Sequence, residues 1–457
     1  MRQKIQLELA FAAAVTGEAR SRAAQGTEAL AATPGRESLA ALGPSMEAIV
    51  ARDNLQKALA QVRRNKGAPG VDGMTVDDLA PYLKDHWPAI RIRLLEGTYR
   101  PLPVRRVEIP KATGGLRPLG IPTALDRFIQ QAVLQVLQAA WDRSFSEHSH
   151  GFRPGCSAQG AVRAAQAYIA AGDRFVVDLD IEKFFDRVNH DILMGLVAKR
   201  VSDRRILRLI RGFLTAGVLA DGLVGPTDEG TPQGGPLSPL LSNLMLDELD
   251  RELVRRGHRF VRYADDCNIY VRSRRAGERV MASIAGFLAR RLKLKLNPAK
   301  SAVAVPWQRK FLGFSFTSGR PRRRIAPQAL ARFKSRVREL TRRTRGASLK
   351  QIIREVSRYL VGWRGYFGIC QTPSVLRGLD RWVRRRLRCI AWKQWKRGRT
   401  RFAELCRRGV GKDLVATAAG SAHGPWRLSN SPALAIALPN AFLGALGLAA
   451  LAPGEAA

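Results

Sequence analysis

The chain has 457 residues, with 77 Lys and Arg against 38 Asp and Glu, for a formal net charge of +39. The length predicts two or three domains, and a hydrophobic share of 46% is ample to bury them, which excludes a disordered tail. So large a positive charge exceeds what solubility requires and points to nucleic acid as partner, while five scattered cysteines with no C-x-x-C pair exclude a zinc ribbon and a disulfide framework and fit a reducing cytosol.

Residues 1–44 are rich in Ala, Gly, Ser and Thr and read as a low-complexity extension. Glu8 interrupts the apolar stretch Leu7–Val15, so a signal peptide is not expected there. From Ser45 the pattern turns globular. A helix is predicted over Ile49–Val62, followed by a Gly/Pro-rich turn from Asn65 to Gly73 and then mixed helices and strands to Phe316, all in one α+β body. Ile109–Pro122 reads as a Gly-turned hairpin carrying two cations, Lys111 and Arg117.

Phe175–Ile181 alternates over a β-rich run and places Asp178 and Asp180 on one strand face, an alternation that does not choose between them. A second strand pair spans Phe260–Val271, with Asp265-Asp266 at the expected hairpin tip. An isolated Asp-Asp pair is most often just a turn signal. Adjacent carboxylates repel, however, and divalent cations relieve that cost, since hard Mg²⁺ prefers carboxylate oxygen.

After Gly319–Arg324 the pattern turns to helices with almost no strand signal, which predicts a domain boundary at 318/319. Residues 381–408 hold twelve basic side chains and one acid, Glu404, while Leu379, Trp382, Val383, Leu387 and Ile390 recur at helical spacing. One helix face is expected to pack and the other to meet phosphate. The apolar tail Ala433–Ala452 is cut by Pro439-Asn440 and predicts a helix pair or packing segment rather than a membrane span.

Three segments in order carry a family resemblance: Asp180-Ile-Glu-Lys-Phe-Phe-Asp186, Gly230-Thr-Pro-Gln-Gly-Gly-Pro-Leu-Ser-Pro239 and Tyr263-Ala-Asp-Asp266. Together they resemble the motif series of reverse transcriptases. The resemblance implies a right-hand polymerase of fingers and palm followed by an all-helical thumb, with Asp180, Asp265 and Asp266 as the catalytic carboxylates holding two Mg²⁺ ions. The family's spacing to Phe184-Phe185-Asp186 selects Asp180 over Asp178. It also puts Phe185 at the gate against a 2′ hydroxyl, Gln233 and Gly234 at the nucleotide and template, Lys111 and Arg117 on the incoming triphosphate, and Lys300 in a later palm motif beside the nucleotide.

Lys66-Gly-Ala-Pro-Gly-Val-Asp-Gly73, Gly151-Phe-Arg-Pro-Gly155 and Tyr359–Phe367 narrow the resemblance to the enzymes encoded by group II introns. Cys156 departs from the polar or basic residue expected after Arg-Pro-Gly. The end of the chain resembles bacterial class C members, with no endonuclease domain after the thumb. The implied partners are intron RNA, an RNA template with DNA primer, target DNA and dNTPs, with no membrane and a monomer or weak dimer in the cytoplasm. Lys66, Arg153, Arg384, Arg385, Arg386, Arg388, Lys393 and Lys396 are the expected nucleic-acid contacts. The expected layout is fingers and palm over 45–318, a thumb or maturase domain over 319–405, and a nucleic-acid-binding segment over 406–457. A splicing cofactor that does not need polymerisation, and a reverse transcriptase recruited to defence or DNA repair, stand as alternatives.

Overall fold

The computed structural model describes residues 43–110, 115–220, 223–225, 229–231 and 234–452. The chain divides into two compact units, Met1–Val305 and Pro306–Ala457.

In the first unit, the helix expected over Ile49–Val62 is split. A short helix, Met46–Ile49, is separated from α1 (Arg52–Asn65) by Ala51 in extended conformation. Asn54 holds this corner, its amide donating to the Ile49 carbonyl at 2.8 Å and to the Ala132 carbonyl at 3.0 Å. α2 (Leu79–Glu96) follows the Gly/Pro turn. β1 (Val104–Pro110) and β2 (Leu116–Ile121) form the expected antiparallel hairpin, with Ile109 opposite Arg117. With β4 (Val218–Ala220) and β5 (Leu223–Gly225) they make a sheet of order β2-β1-β4-β5. α3 (Ala124–Trp141) starts at Thr123, whose hydroxyl accepts from the Asp126 N–H, a cap that contributes about 1 kcal/mol.

A second sheet has the order β6-β7-β3-β8, from β3 (Phe175–Leu179), β6 (Arg259–Tyr263), β7 (Asp266–Val271) and β8 (Ala302–Ala304). α4 (Ala158–Ala170) and α8 (Arg274–Phe287) pack on it, and α5 (His190–Ala198) and α6 (Arg204–Leu214) follow β3 in the chain. α7 (Ser238–Arg255) is nearly encased, with Leu240, Leu241, Leu244, Met245, Leu249 and Leu253 all in the core. Each such side chain removed from water stabilises the fold by about 1.5–3 kcal/mol.

The second unit opens on β9 (Phe314–Phe316) and β10 (Arg323–Ile325), paired antiparallel with Phe316 opposite Arg323. The boundary expected at 318/319 therefore falls inside a hairpin, and the compact units part earlier, at Val305/Pro306. A basic turn reads like a linker in sequence, but cross-strand pairing makes it the tip of a β-ribbon. Helices follow: α9 (Pro327–Leu340), α10 (Leu349–Phe367), α11 (Pro373–Gln394) and α12 (Gly398–Arg407). Phe333, Trp363 and Phe367 stack at centroid separations of 4.6 and 4.7 Å to bind α9 to α10. Leu405, Val415, Leu428, Ala433, Leu434 and Leu438 close around Trp392, so residues after 405 share a core with α11. The expected helix pair of the tail is present as Pro432–Ala437 and Asn440–Ala445, and among the described residues no helix is long and apolar enough to cross a membrane.

Candidate active site and nucleic-acid interface

The two strand pairings of β7 bring the three aspartates to one end of the second sheet. Leu179 lies opposite Cys267, so Asp180, the next residue after β3, comes beside Asp266, the first of β7. Tyr263 pairs with Asp266 across the β6–β7 turn, which makes Ala264 and Asp265 its two central residues. The tip is thus one residue earlier than expected. Ala264 adopts φ 55°, the left-handed geometry such a tight turn needs.

Asp180 is fixed from β8's side of the sheet. Its carbonyl accepts from the Asn297 N–H at 2.8 Å, its own N–H donates to Ser301 Oγ at 3.0 Å, and Lys300 Nζ stands 3.4 Å from Oδ2. Asp178 lies within the strand opposite Asn268, whose amide nitrogen donates to Asp178 Oδ1 at 3.0 Å when turned toward β3. The register therefore separates two aspartates that alternation leaves equivalent: one carboxylate is engaged across the sheet, and the other stands at its end beside a cation.

The donor chemistry of Asp180, Asp265 and Asp266 fits a hard dication, since all are carboxylates with some exposure and Asp180 already attracts an ammonium. Among the described residues no group of three or more His, Cys, Asp or Glu side chains is arranged to hold a metal ion on its own.

Phe185 lies in the 3₁₀ turn Phe184–Asp186, half-buried and edge-on to Phe184 at 5.2 Å. The Gly230 segment docks on this turn. Thr231 N–H donates to the Phe185 carbonyl at 2.6 Å, Gly230 N–H to the Val188 carbonyl at 2.8 Å, and His190 Nε2 lies 2.6 Å from the Gly230 carbonyl. Gly234 has φ 137°, and a Cβ there would lie 2.6 Å from the Gly120 carbonyl oxygen of β2, so only glycine lets the loop approach that strand. Lys111 and Gln233 lie outside the described residues. Arg117 is placed by its backbone in β2, and its side chain is likewise outside them.

Sequence reasoning missed a buried network below the turn. Arg262 and Asp250 are both fully buried, and Arg262 Nε donates to Asp250 Oδ1 at 2.8 Å. Burial disfavours the charged guanidinium, but the facing carboxylate outweighs it and holds Arg262 above its usual pKa. The available signal was in α7, where Ser238, Ser242, Asn243, Asp247 and Asp250 are interleaved with core leucines, and buried polar residues must find partners.

Four of the expected nucleic-acid contacts also have partners within the fold. Arg153 donates to Asp142 Oδ1 at 3.0 Å and to the carbonyls of Asp142, Ser146 and Ser149, and its side chain is 10% exposed. Arg385 lies 4.0 Å over the Trp426 ring and donates to the Trp426 carbonyl. Arg386 donates to the Thr341 hydroxyl at 2.6 Å, and Arg388 donates to the Leu438 carbonyl at 3.0 Å. These guanidinium groups therefore brace the fold as well. Arg384 is half-buried, whereas Lys66, Lys393 and Lys396 are exposed.

The family described as "Reverse transcriptase (RNA-dependent DNA polymerase)" matches residues 109–316, and "Group II intron, maturase-specific domain" matches residues 330–409. Protein YkfC of Escherichia coli (strain K12) is 37% identical over 279 residues, covering 52% of this chain and 73% of that protein. The group II intron-encoded protein LtrA of Lactococcus lactis subsp. cremoris is 40% identical over 188 residues, covering 41% of this chain but 31% of LtrA. Among solved structures, telomerase from Candida albicans superposes with a TM-score of 0.40 at 12% identity, covering 64% of this chain and 59% of that one. The chain belongs to the family of group II intron reverse transcriptases and maturases.

Proposed function

We propose that the chain extends a DNA primer on an RNA template through Asp180, Asp265 and Asp266, and that it also binds intron RNA to assist splicing and retrohoming. The observation that supports this most is the shared end of the second sheet, where Asp180 leaves β3 beside the turn bearing Asp265 and Asp266. Two magnesium ions, when bound there, supply the positive charge that favours the 3′ alkoxide of the primer and the departing pyrophosphate. Substrate phosphates complete such ligand sets, so protein carboxylates alone need not form a closed cage.

The remaining roles belong to the chain itself. Phe185 is held by Phe184 and the Thr231 hydrogen bond, rigid enough to reject a 2′ hydroxyl. Gln233 and Gly234 are assigned to the nucleotide and template, and Lys111, Arg117 and Lys300 to the triphosphate as its cations. In the second unit, exposed Lys393 and Lys396, with Arg384, contact intron RNA, as Lys66 does in the first; residues 406–457 extend that surface.

The match of residues 330–409 to a maturase-specific domain favours a second activity in splicing, separable from polymerisation. The test uses one purified chain in two assays. Asp265→Asn should abolish extension of oligo(dT) on poly(rA) yet leave RNA affinity and splicing of the cognate intron intact. Neutralising Lys393 and Lys396 should weaken splicing. Retained extension by Asp265→Asn would refute the polymerase assignment, and loss of splicing with it would refute the division of labour.

A further inference from the structure

The turn bearing Asp265 has no room to be placed by its own two residues. Ala264 is in the left-handed region and buried, and the segment in front of it is packed against the turn's backbone: a Cβ on Gly151 would lie 2.3 Å from Ala264 N and 3.0 Å from Tyr263 C. Something must hold both segments in that register.

Arg262 does so with every N–H it has. Nε and Nη2 donate to the two carboxylate oxygens of Asp250, Nη1 to Asn243 Oδ1 at 3.1 Å and to the Ala264 carbonyl at 2.9 Å, and Nη2 also to Ser149 Oγ at 2.8 Å. The Ala264 carbonyl belongs to the peptide that leads directly into Asp265. The Arg262 backbone continues the clamp, its N–H donating to the His148 carbonyl at 2.9 Å and its carbonyl accepting from the His150 N–H at 2.8 Å. Asn243 closes the ring by donating to the Gly151 carbonyl at 2.8 Å. α7, the 148–151 segment and the turn therefore share one fully satisfied guanidinium.

We infer that Arg262, anchored by Asp250 and Asn243, is the positioning residue that sets the Ala264–Asp265 turn against the 148–151 segment, and so sets the geometry of Asp265 and Asp266. This rests on the polymerase reading of those aspartates. A buried ion pair used only for stability can be replaced by well-packed apolar side chains at little cost, so the two roles separate experimentally. A lysine cannot take over the positioning role, because its three donors radiate from one atom and cannot reach acceptors spread over three segments.

The test compares wild type, Arg262→Met/Asp250→Leu, Arg262→Lys and Gly151→Ala, with Arg259→Met on the same strand as control. Thermal unfolding, the kcat and KM for dTTP on poly(rA)/oligo(dT), and Mn²⁺ binding by electron paramagnetic resonance are read for each. The expected result for the apolar double variant is cooperative unfolding, with kcat lowered about 100-fold, KM changed less than about 3-fold and weaker Mn²⁺ binding. Gly151→Ala and Arg262→Lys should move kcat and Mn²⁺ affinity the same way, and Arg259→Met neither. A folded double variant with wild-type kcat and Mn²⁺ binding would overturn the inference. Should the double variant not fold, unchanged kcat and Mn²⁺ binding in both Gly151→Ala and Arg262→Lys would overturn it equally. If wild type itself extends no primer, the polymerase reading fails, and the Mn²⁺ comparison still decides the positioning role.

Discussion

Lys300 sets its ammonium 3.4 Å from Asp180 Oδ2, although 120 residues separate the two in the chain. The contact is solvent-exposed on the lysine side, so its contribution to stability is small and screened by salt. If Lys300 serves the incoming nucleotide as proposed, a triphosphate would draw its ammonium away from Asp180. Lys300→Met should raise the KM for dNTP about 10-fold with kcat changed less than about 3-fold, and should leave the melting temperature unaltered. Steady-state kinetics at several dNTP concentrations check this.

The loop at Gly234 makes a steric prediction. Gly234→Ala places a methyl against the Gly120 carbonyl and forces a non-glycine residue to φ 137°, a conformation costing about 1–3 kcal/mol before the clash is counted. Primer extension should fall at least about 10-fold. Gly225→Ala, where nothing lies within 4 Å of the new Cβ, should leave extension unchanged in the same assay.

The basic run of α11 divides by side-chain partners. Arg386→Ala removes donors to the Thr341 hydroxyl and carbonyl and should destabilise the second unit by about 1–3 kcal/mol in denaturant unfolding. Lys393→Ala and Lys396→Ala should leave stability unchanged, weaken RNA binding, and each lower the slope of log affinity against log salt by about 1. Filter binding across a salt series measures that slope.

Glu252 predicts a pH dependence. Arg255 and Arg256 donate to its carboxylate and pull its pKa from 4.5 to about 2. A depressed carboxylate contributes stability that is complete above the ordinary value and is lost as pH falls through the folded one. The stability advantage of wild type over Glu252→Gln should therefore be full above about pH 5 and shrink toward about pH 2, and it should be smaller in high salt.

What the sequence carries legibly is whatever local pattern dictates. Strand alternation announces β3, two apolar runs around Asp265-Asp266 announce the β6–β7 hairpin, and the glycines after Lys111 announce β1 and β2. For arginine, local reading does not reveal the tertiary partners. Alternation puts Arg262 on the Phe260 face of its strand and Arg259 on the other, but the complete burial of Arg262 depends on Asp250 on α7 and Ser149 on a distant segment. Arg153, Arg385, Arg386 and Arg388 repeat the lesson: their partners are Asp142, Trp426, Thr341 and Leu438, brought in by tertiary packing. The pairing of Phe316 with Arg323 across the expected 318/319 boundary is likewise invisible to a reading of composition.

The account stands most directly on whether Asp180 and Asp265 act as one unit. Single-turnover incorporation of one dNTP should be measured for Asp180→Asn, Asp265→Asn and the double variant, with folding and RNA binding verified for each. Two groups sharing one catalytic task should each cost at least about 10³-fold alone, with the double variant little worse than either. An Asp180 or Asp265 variant that folds, binds RNA and incorporates nucleotide within about 10-fold of wild type would contradict the account.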